Sequence, residues 1–596
     1  MLLLREVLLD RGTWCHTSTI RDFKRISSRV EHEGLSFLTI TLPNFGSDLQ
    51  KGLDQGFADR HLFKGFPWKG GLPLFLGGFL DLVFDRKTGR LLDVPDVDAI
   101  QAIRQITLMF AKINLPCSQT RERAAITRYV ECEQEVRRSD AALTDPERDQ
   151  FERVGRLLWS DVLQAVDEDI YYGRLIPKHG PGATADKLSG NRKFCQTEWT
   201  QRLEQVFPSG ESLLPNWRYF EHLDRVELLE PGDERPVRVI TVPKTLKTPR
   251  IIAIEPTCMQ YSQQGVLEAI VPYVESGDTT YHAGVVGFTD QVPNQVLARR
   301  GSLDGNLATL DLSEASDRVS NQHVRLLVRR MPHLAEALDA TRSRKADVPG
   351  HGVLRLAKFA SMGSALCFPL EAMVFATIIF CGIEQGLNRR LTKKDVKSFV
   401  GQVRVYGDDI IVPVDHVVGV IGKLETFGFR VNPDKSFWTG RFRESCGREF
   451  YDGHDVSVVR VRELLPTSHQ DVPGLVSTVS LRNQLYQAGY WGVVEHLDGI
   501  LDRLIPWPNV APTSPVLGRH SFLGYDIQRM CPDLHRPLVK GYVVSSSIPK
   551  NSLGDTGALL KWFLKRGSQP FADVDHLERS GRPQSVDIKL RWAPSH

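Results

Sequence analysis

Val405-Tyr-Gly-Asp-Asp-Ile-Ile-Val412 sets two adjacent carboxylates between two apolar, β-forming arms. Gly407-Asp408-Asp409 at the centre of such arms reads as the turn of a hairpin running from Val403 to Val414. Like charges side by side repel, and no structural need asks for Asp408 beside Asp409. A divalent cation between them turns that repulsion into binding, because Mg²⁺ takes hard oxygen ligands. Gly-Asp is also ordinary turn chemistry, and for the triplet alone a solvated turn is the simpler reading.

Upstream, Thr309-Leu-Asp-Leu-Ser-Glu-Ala-Ser-Asp-Arg318 places Asp311 at the end of an apolar strand, Leu307 to Leu312, ahead of a helix expected from Asn321 to Arg330. If the two strands lie side by side in one sheet, Asp311 and Asp408 converge. Two metal ions held about 3.5–4 Å apart can activate a 3′-hydroxyl and stabilise a leaving pyrophosphate. Helix capping is the plainer use of such residues. It suits Ser313 or Ser316, whereas the metal role suits Asp311.

Three further stretches flank these acids. From 237 to 254, β-branched residues surround a basic insert and read as two strands joined by a cationic loop. Lys244, Lys247 and Arg250 recur there every three residues and can clamp a nucleoside triphosphate; a solvated basic turn explains them equally. In Phe359-Ala-Ser-Met-Gly-Ser-Ala-Leu-Cys-Phe-Pro369, Ser361 and Gly363 form a small flexible loop before a helix reaching Gly386. Gly363 lets the backbone approach a base pair closely, and a serine N-cap is the alternative. In Gly428-Phe-Arg-Val-Asn-Pro-Asp-Lys-Ser-Phe437, Lys435 can protonate a leaving pyrophosphate as general acid, or it is an exposed turn lysine.

The chain has 596 residues, too many for one hydrophobic core, so several subdomains are expected. Its 41% hydrophobic and 25% charged residues suit a globular protein. A formal net charge of +3 is too small for a genome-coating protein, but it leaves room for a locally basic groove. Nine scattered cysteines without a C-x-x-C pair argue against a disulfide framework or a zinc site and suit a reducing cytosol. Met1-Leu-Leu-Leu-Arg-Glu contains no signal-peptide core. The apolar run Ala372 to Ile383, bounded by Glu371 and Glu384, is shorter than the ~20 residues that span a bilayer and reads as a buried helix. Asp145-Pro146 opens a helix with apolar positions at Phe151, Val154, Leu158, Val162 and Ala165. The first 140 residues read as mixed, with Gly/Pro turns. The chain beyond 480 reads as helical stretches with Pro-rich breaks, ending in a polar, loosely ordered tail after Arg566.

Taken in order, these motifs resemble the palm-type polymerases. More narrowly, they resemble the catalytic beta subunit of the replicases of small positive-strand RNA bacteriophages, the Qβ-like leviviruses. The residues that carry the resemblance are Pro243-Lys-Thr-Leu-Lys-Thr-Pro-Arg-Ile-Ile-Ala-Ile-Glu-Pro256, Asp311-Leu-Ser-Glu-Ala-Ser-Asp317, Ser361-Met-Gly363, Tyr406-Gly-Asp-Asp409 and Phe442-Arg-Glu-Ser-Cys-Gly447, with a weaker match at His179-Gly-Pro-Gly182.

The resemblance implies an α+β right-hand polymerase fold with fingers, a palm of antiparallel sheet flanked by helices, and a thumb. The corresponding division is 1–236 for the N-terminal region and fingers, 237–300 for fingers with the basic loop, 301–450 for the palm, and 451–596 for the thumb and C-terminal region. It implies an RNA-directed RNA polymerase that replicates a single-stranded phage genome, with Asp311, Asp408 and Asp409 as catalytic acids holding two Mg²⁺ ions. Asp317 would face the ribose, Lys244, Lys247 and Arg250 would line the triphosphate path, and Ser361, Gly363 and Lys435 would contact substrate. The implied partners are RNA template and product, nucleoside triphosphates, host elongation factors Tu and Ts and a ribosomal protein, in the bacterial cytoplasm and without a membrane. Two positions depart from the family: Ser364 stands where many relatives carry an Asn that orients the sugar-reading Asp, and Asp434 stands where a relative can carry Lys. A reverse transcriptase also uses a Tyr-x-Asp-Asp turn, but it needs a bulky residue against the 2′-hydroxyl, where Asp317 offers an acceptor. A catalytically dead RNA-binding scaffold would have lost a metal carboxylate, and all three are present.

Overall fold

In the computed structural model, which describes residues 1–275, 281–546, 554–565 and 586–596, the Gly-Asp-Asp segment forms the expected hairpin. Arg404–Tyr406 and Asp409–Pro413 pair antiparallel, with Tyr406 opposite Asp409. Gly407 turns the chain at φ +59°, and a Cβ there would lie 2.5 Å from the Phe368 ring, so both backbone and packing demand glycine. Asp409–Pro413 pairs on its other side with Leu307–Leu310, Ile410 opposite Leu310. The result is a three-stranded antiparallel sheet with the Asp311 strand at one edge. Leu307, Ala308, Leu310, Ile410, Ile411 and Val412 are all buried, which pins its register. Just beyond Asp311, Leu312–Ser313 pairs with Arg430–Val431.

Helices cover this sheet. Asp145–Tyr171 begins with a Thr144/Glu147 capping box and a proline in its first turn. Together with Thr257–Glu275 and Cys367–Leu387 it shares one apolar core with the sheet. Cys367–Leu387 has 21 residues, more than the apolar run inside it, and by length and composition it could cross a membrane; 94% of its apolar window is buried within the protein instead. The helix expected from Asn321 to Arg330 ends at Leu327, and Ser320 caps it by accepting from Gln322 N and His323 N. Neither Ser313 nor Ser316 plays that part.

The basic insert joins Val237–Val242 to Arg250–Ile254, an antiparallel pair as expected. A second hairpin, Lys345–Val348 with Gly352–Arg355, extends it to four strands.

The terminal regions differ from expectation. The first 140 residues are largely helical: Leu2–Trp14, Ile20–Glu33, Leu42–Gln55, Val97–Leu108 and Gln119–Ala142. Their Gly/Pro turns mark the connections, while their apolar faces find partners far along the chain. Residues from Leu3 to Ile113 share one core with residues from Phe437 to Leu497. Near the C-terminus, Val472–Gln487 and Trp491–Leu501 are helical. Pro537–Ser546 and Val586–Pro594 then form a long antiparallel ladder, so the end of the tail is a strand. Residues 566–585 of that tail lie outside the described residues.

Candidate active site

The sheet brings Asp311 to the mouth of the hairpin. Ile410 lies opposite Leu310, so the next residue on each strand is an aspartate. Asp408 is exposed at the turn, while Asp311 and Asp409 are half-buried. Burial raises the Asp311 carboxyl and the Asp408 charge adds to it, against Lys435 and a 3.0 Å hydrogen bond from Asn432 Nδ2. Asp409 is pushed up to about 6 by burial and by Asp408 and Asp311, even though Cys446 N donates to its Oδ1 at 3.1 Å. These are acids whose mutual repulsion a bound cation would relieve. Among the described residues no group of three His, Cys, Asp or Glu side chains is arranged to hold a metal ion. Asp409 faces Cys446 N and the Ser445 hydroxyl instead. Asp311 and Asp408 nevertheless fit magnesium chemically, since that ion is commonly held by one or two carboxylates with substrate phosphates and water completing its shell.

Cations surround the acids. Lys435 Nζ lies 3.5 Å from Asp311 Oδ2. Burial works against its ammonium, but Asp311, with Glu444 and Asp408, raises its pKa overall. Asp434 is engaged elsewhere, in an ion pair with Lys51. On the basic loop Lys244, Lys247 and Arg250 are all exposed. Desolvation, Lys435 and Arg250 lower the Lys244 pKa, while Asp408 and Asp311 pull it upward, which places the loop within the field of the acids.

Asp317 sits in a different setting. Its Oδ1 meets Lys358 Nζ at 2.9 Å, and Lys358 also pairs with Glu133 at 3.2 Å. The ammonium lies 3.6 Å over the Tyr129 ring, and Tyr129 Oη is 2.9 Å from the buried Ser361 Oγ. Ser364 Oγ bonds Gln263 Oε1 at 3.1 Å, not Asp317. Gly363, at φ +130°, packs its backbone on the strand Arg250–Ile254: a Cβ there would lie 2.1 Å from Ala253 O. Its glycine thus has a packing reason within the protein.

Lys358, Glu371, Asn432 and Glu444 also stand near the acids, and none of them is singled out as a site residue by the sequence. Glu371 is 5% exposed. Burial, then Asp408 and Asp317, holds its carboxyl well above the usual carboxylate range. Burial and Glu449 push Glu444 up to about 7. Glu371 carries a signal in the sequence, a carboxylate directly before the apolar run Ala372 to Ile383. Lys358 carries none, because a lone lysine reads as surface.

A family profile described as RNA replicase, beta-chain, matches residues 234–502. The RNA-directed RNA polymerase subunit beta of Qbeta virus (strain MX1) is 34% identical over 265 residues, 44% of this chain and 40% of that protein. The corresponding subunit of Enterobacteria phage SP is 30% identical over 396 residues, 65% of this chain and 59% of its own length. Over residues 234–502 the chain is similar to the RNA replicase beta-chain family. Its replicase match includes every predicted site residue from Lys244 to Lys435. The chain spans less than two thirds of the length of these replicase relatives. The solved RNA-dependent RNA polymerase of a human picorbirnavirus superposes with a TM-score of 0.33 at 11% identity, over 45% of this chain and 55% of its own.

Proposed function

We propose that this chain is the catalytic subunit of an RNA-directed RNA polymerase that copies a single-stranded RNA phage genome by nucleotidyl transfer to an RNA 3′-hydroxyl, releasing pyrophosphate. The observation that carries the reading is the strand pairing that sets Asp311 beside the Asp408-Asp409 turn. Asp311 and Asp408, with Asp409 behind them, would hold two magnesium ions, which supply charge neutralisation for the attacking hydroxyl and the leaving pyrophosphate.

The chain's own groups do the rest. Lys244, Lys247 and Arg250 bind the triphosphate, and Lys435 donates a proton to the leaving pyrophosphate. Asp317 accepts a hydrogen bond from the ribose 2′-hydroxyl, while Ser361 and Gly363 border the nascent base pair. In this right-hand arrangement 301–450 is the palm, 237–300 the adjoining part of the fingers, 1–236 the N-terminal region and remaining fingers, and 451–596 the thumb and C-terminal region. Family resemblance supports host elongation factors Tu and Ts and a ribosomal protein as companions in the bacterial cytoplasm. Affinity purification from an infected host, read by mass spectrometry, tests this; a fully active chain with no retained partner counts against it.

Nucleotide incorporation with and without Mg²⁺, on RNA and DNA templates and with ribo- and deoxyribonucleotides, tests the activity. Mg²⁺-dependent ribonucleotide incorporation on RNA is expected. Incorporation of deoxyribonucleotides alone would favour the reverse transcriptase, and no incorporation would favour the scaffold.

A further inference from the structure

Away from the acids, a cavity of about 740 Å³ opens between the end of Gln119–Ala142, the start of Asp145–Tyr171, the helices Asn321–Leu327 and Pro332–Thr341, and the hairpin Lys345–Val348/Gly352–Arg355. Arg137, Arg148, Arg325, Arg342, Arg344 and Arg355 line it, against two carboxylates, Asp140 and Asp339. None of the predicted site residues is among its walls.

The six guanidinium groups are not equally engaged. Arg342 is 7% exposed and donates to the carbonyls of Leu356, Lys358 and Phe359 at 2.9, 2.7 and 3.0 Å, so it builds the wall. Arg344 is tied to Asp339 at 2.5 Å. Arg325 meets Asp339 only at 3.7 Å, with its side chain 60% exposed. Arg148 reaches the exposed Asp145 at 3.3 Å. Arg355 has no carboxylate partner among the described residues. Mutually repelling cations held around one concavity, with donors to spare, suit a phosphate ester, whose oxygens match the planar guanidinium fork.

We propose that this cavity is a second phosphate-binding site, separate from the nucleotidyl-transfer site, and that its ligand is the backbone of single-stranded RNA. A free nucleoside triphosphate offers the same phosphate chemistry. One feature favours the RNA strand: the arginines come from several separate elements, which suits successive phosphodiesters. Among the described residues no aromatic side chain lines the cavity, so its contacts are with phosphate and not with bases. Recognition there is of backbone, without sequence preference.

The test uses the full chain carrying Asp408→Asn, so that nothing is turned over, and compares it with the same chain also carrying Arg325→Gln and Arg355→Gln. A short labelled single-stranded RNA is titrated by fluorescence anisotropy across a salt series. Loss of two backbone contacts should lower the magnitude of the log-affinity against log-salt slope by about 1.4. The loss should be alike for oligo(U) and oligo(A), with melting temperature unchanged. Gln322→Glu, which adds a negative charge to the wall, should weaken binding in the same direction. Unchanged slope and affinity in both variants would overturn the proposal. So would a loss confined to UTP binding measured separately, which would assign the cavity to free nucleotide. The readout is binding alone, so failure of the polymerase reading, seen as no incorporation by the unsubstituted chain, leaves this result interpretable.

Discussion

Lys358 Nζ stands 2.9 Å from Asp317 Oδ1, and the lysine side chain is wholly buried. Burial opposes its charge, but Asp317, Tyr129 and Glu133 raise its pKa and keep the ammonium protonated. One buried cation thereby joins the helix Gln119–Ala142, the segment after Asp311 and the loop that leads to Ser361. It holds the carboxylate that Ser364 does not touch. Lys358→Met leaves two carboxylates without their cation in a buried site. Breaking such a pair costs about 3–5 kcal/mol, so a large drop in the urea midpoint is expected. A midpoint within error of the parent would show that the network contributes little.

Asp317→Ala tests sugar reading. A hydrogen bond to a charged group is worth about 1.5–3 kcal/mol, about one to two decades of discrimination. The ratio of ribo- to deoxyribonucleotide incorporation should narrow by that factor. Helix-end stabilisation is the bland alternative, and it predicts that both rates fall together with thermal stability.

Asp408→Asn and Asp311→Asn should each reduce incorporation by at least about a thousandfold, because the acids act on the transition state. RNA affinity and melting temperature should stay near the parent values. Parent-like single-turnover rates in either variant would remove the residue from the catalytic set.

Arg250→Ala should raise the apparent KM for all four nucleotides by a similar factor, because phosphate contacts carry no base information. A defect restricted to one nucleotide, or no defect, would return Lys244, Lys247 and Arg250 to the status of a solvated turn.

His323 is 1% exposed among Phe151, Phe427 and Phe429, and burial pushes its pKa down to about 3. In the unfolded chain the same group titrates near about 6.5. Between those values the unfolded state binds a proton that the folded state refuses. Stability is therefore full above about pH 6.5 and falls as pH drops toward 3, by at most about 1.4 kcal/mol per pH unit from this group. His323→Gln cannot take up the charge, so its unfolding free energy should depend less on pH between about 7 and 5. Equal slopes for variant and parent would refute the assignment.

What the sequence determined by itself was local. Tyr406-Gly-Asp-Asp409 between β-branched arms, the two strands around the basic insert, and the Asp145-Pro146 helix start each depend on turn chemistry or periodicity within a few residues. Tertiary structure decided which distant segments meet. That Asp311 lies beside the hairpin depends on the pairing of Leu307–Leu310 with Asp409–Pro413, two strands far apart in sequence. That Leu3 to Ile113 pack with Phe437 to Leu497, and that Pro537–Ser546 pairs with Val586–Pro594, depends on partners no local window contains. Lys358 and Glu371 became site residues only through burial beside Asp317 and Asp408. Hydrophobic burial is non-directional, so composition selects what is buried, but only the assembled fold selects against which charge.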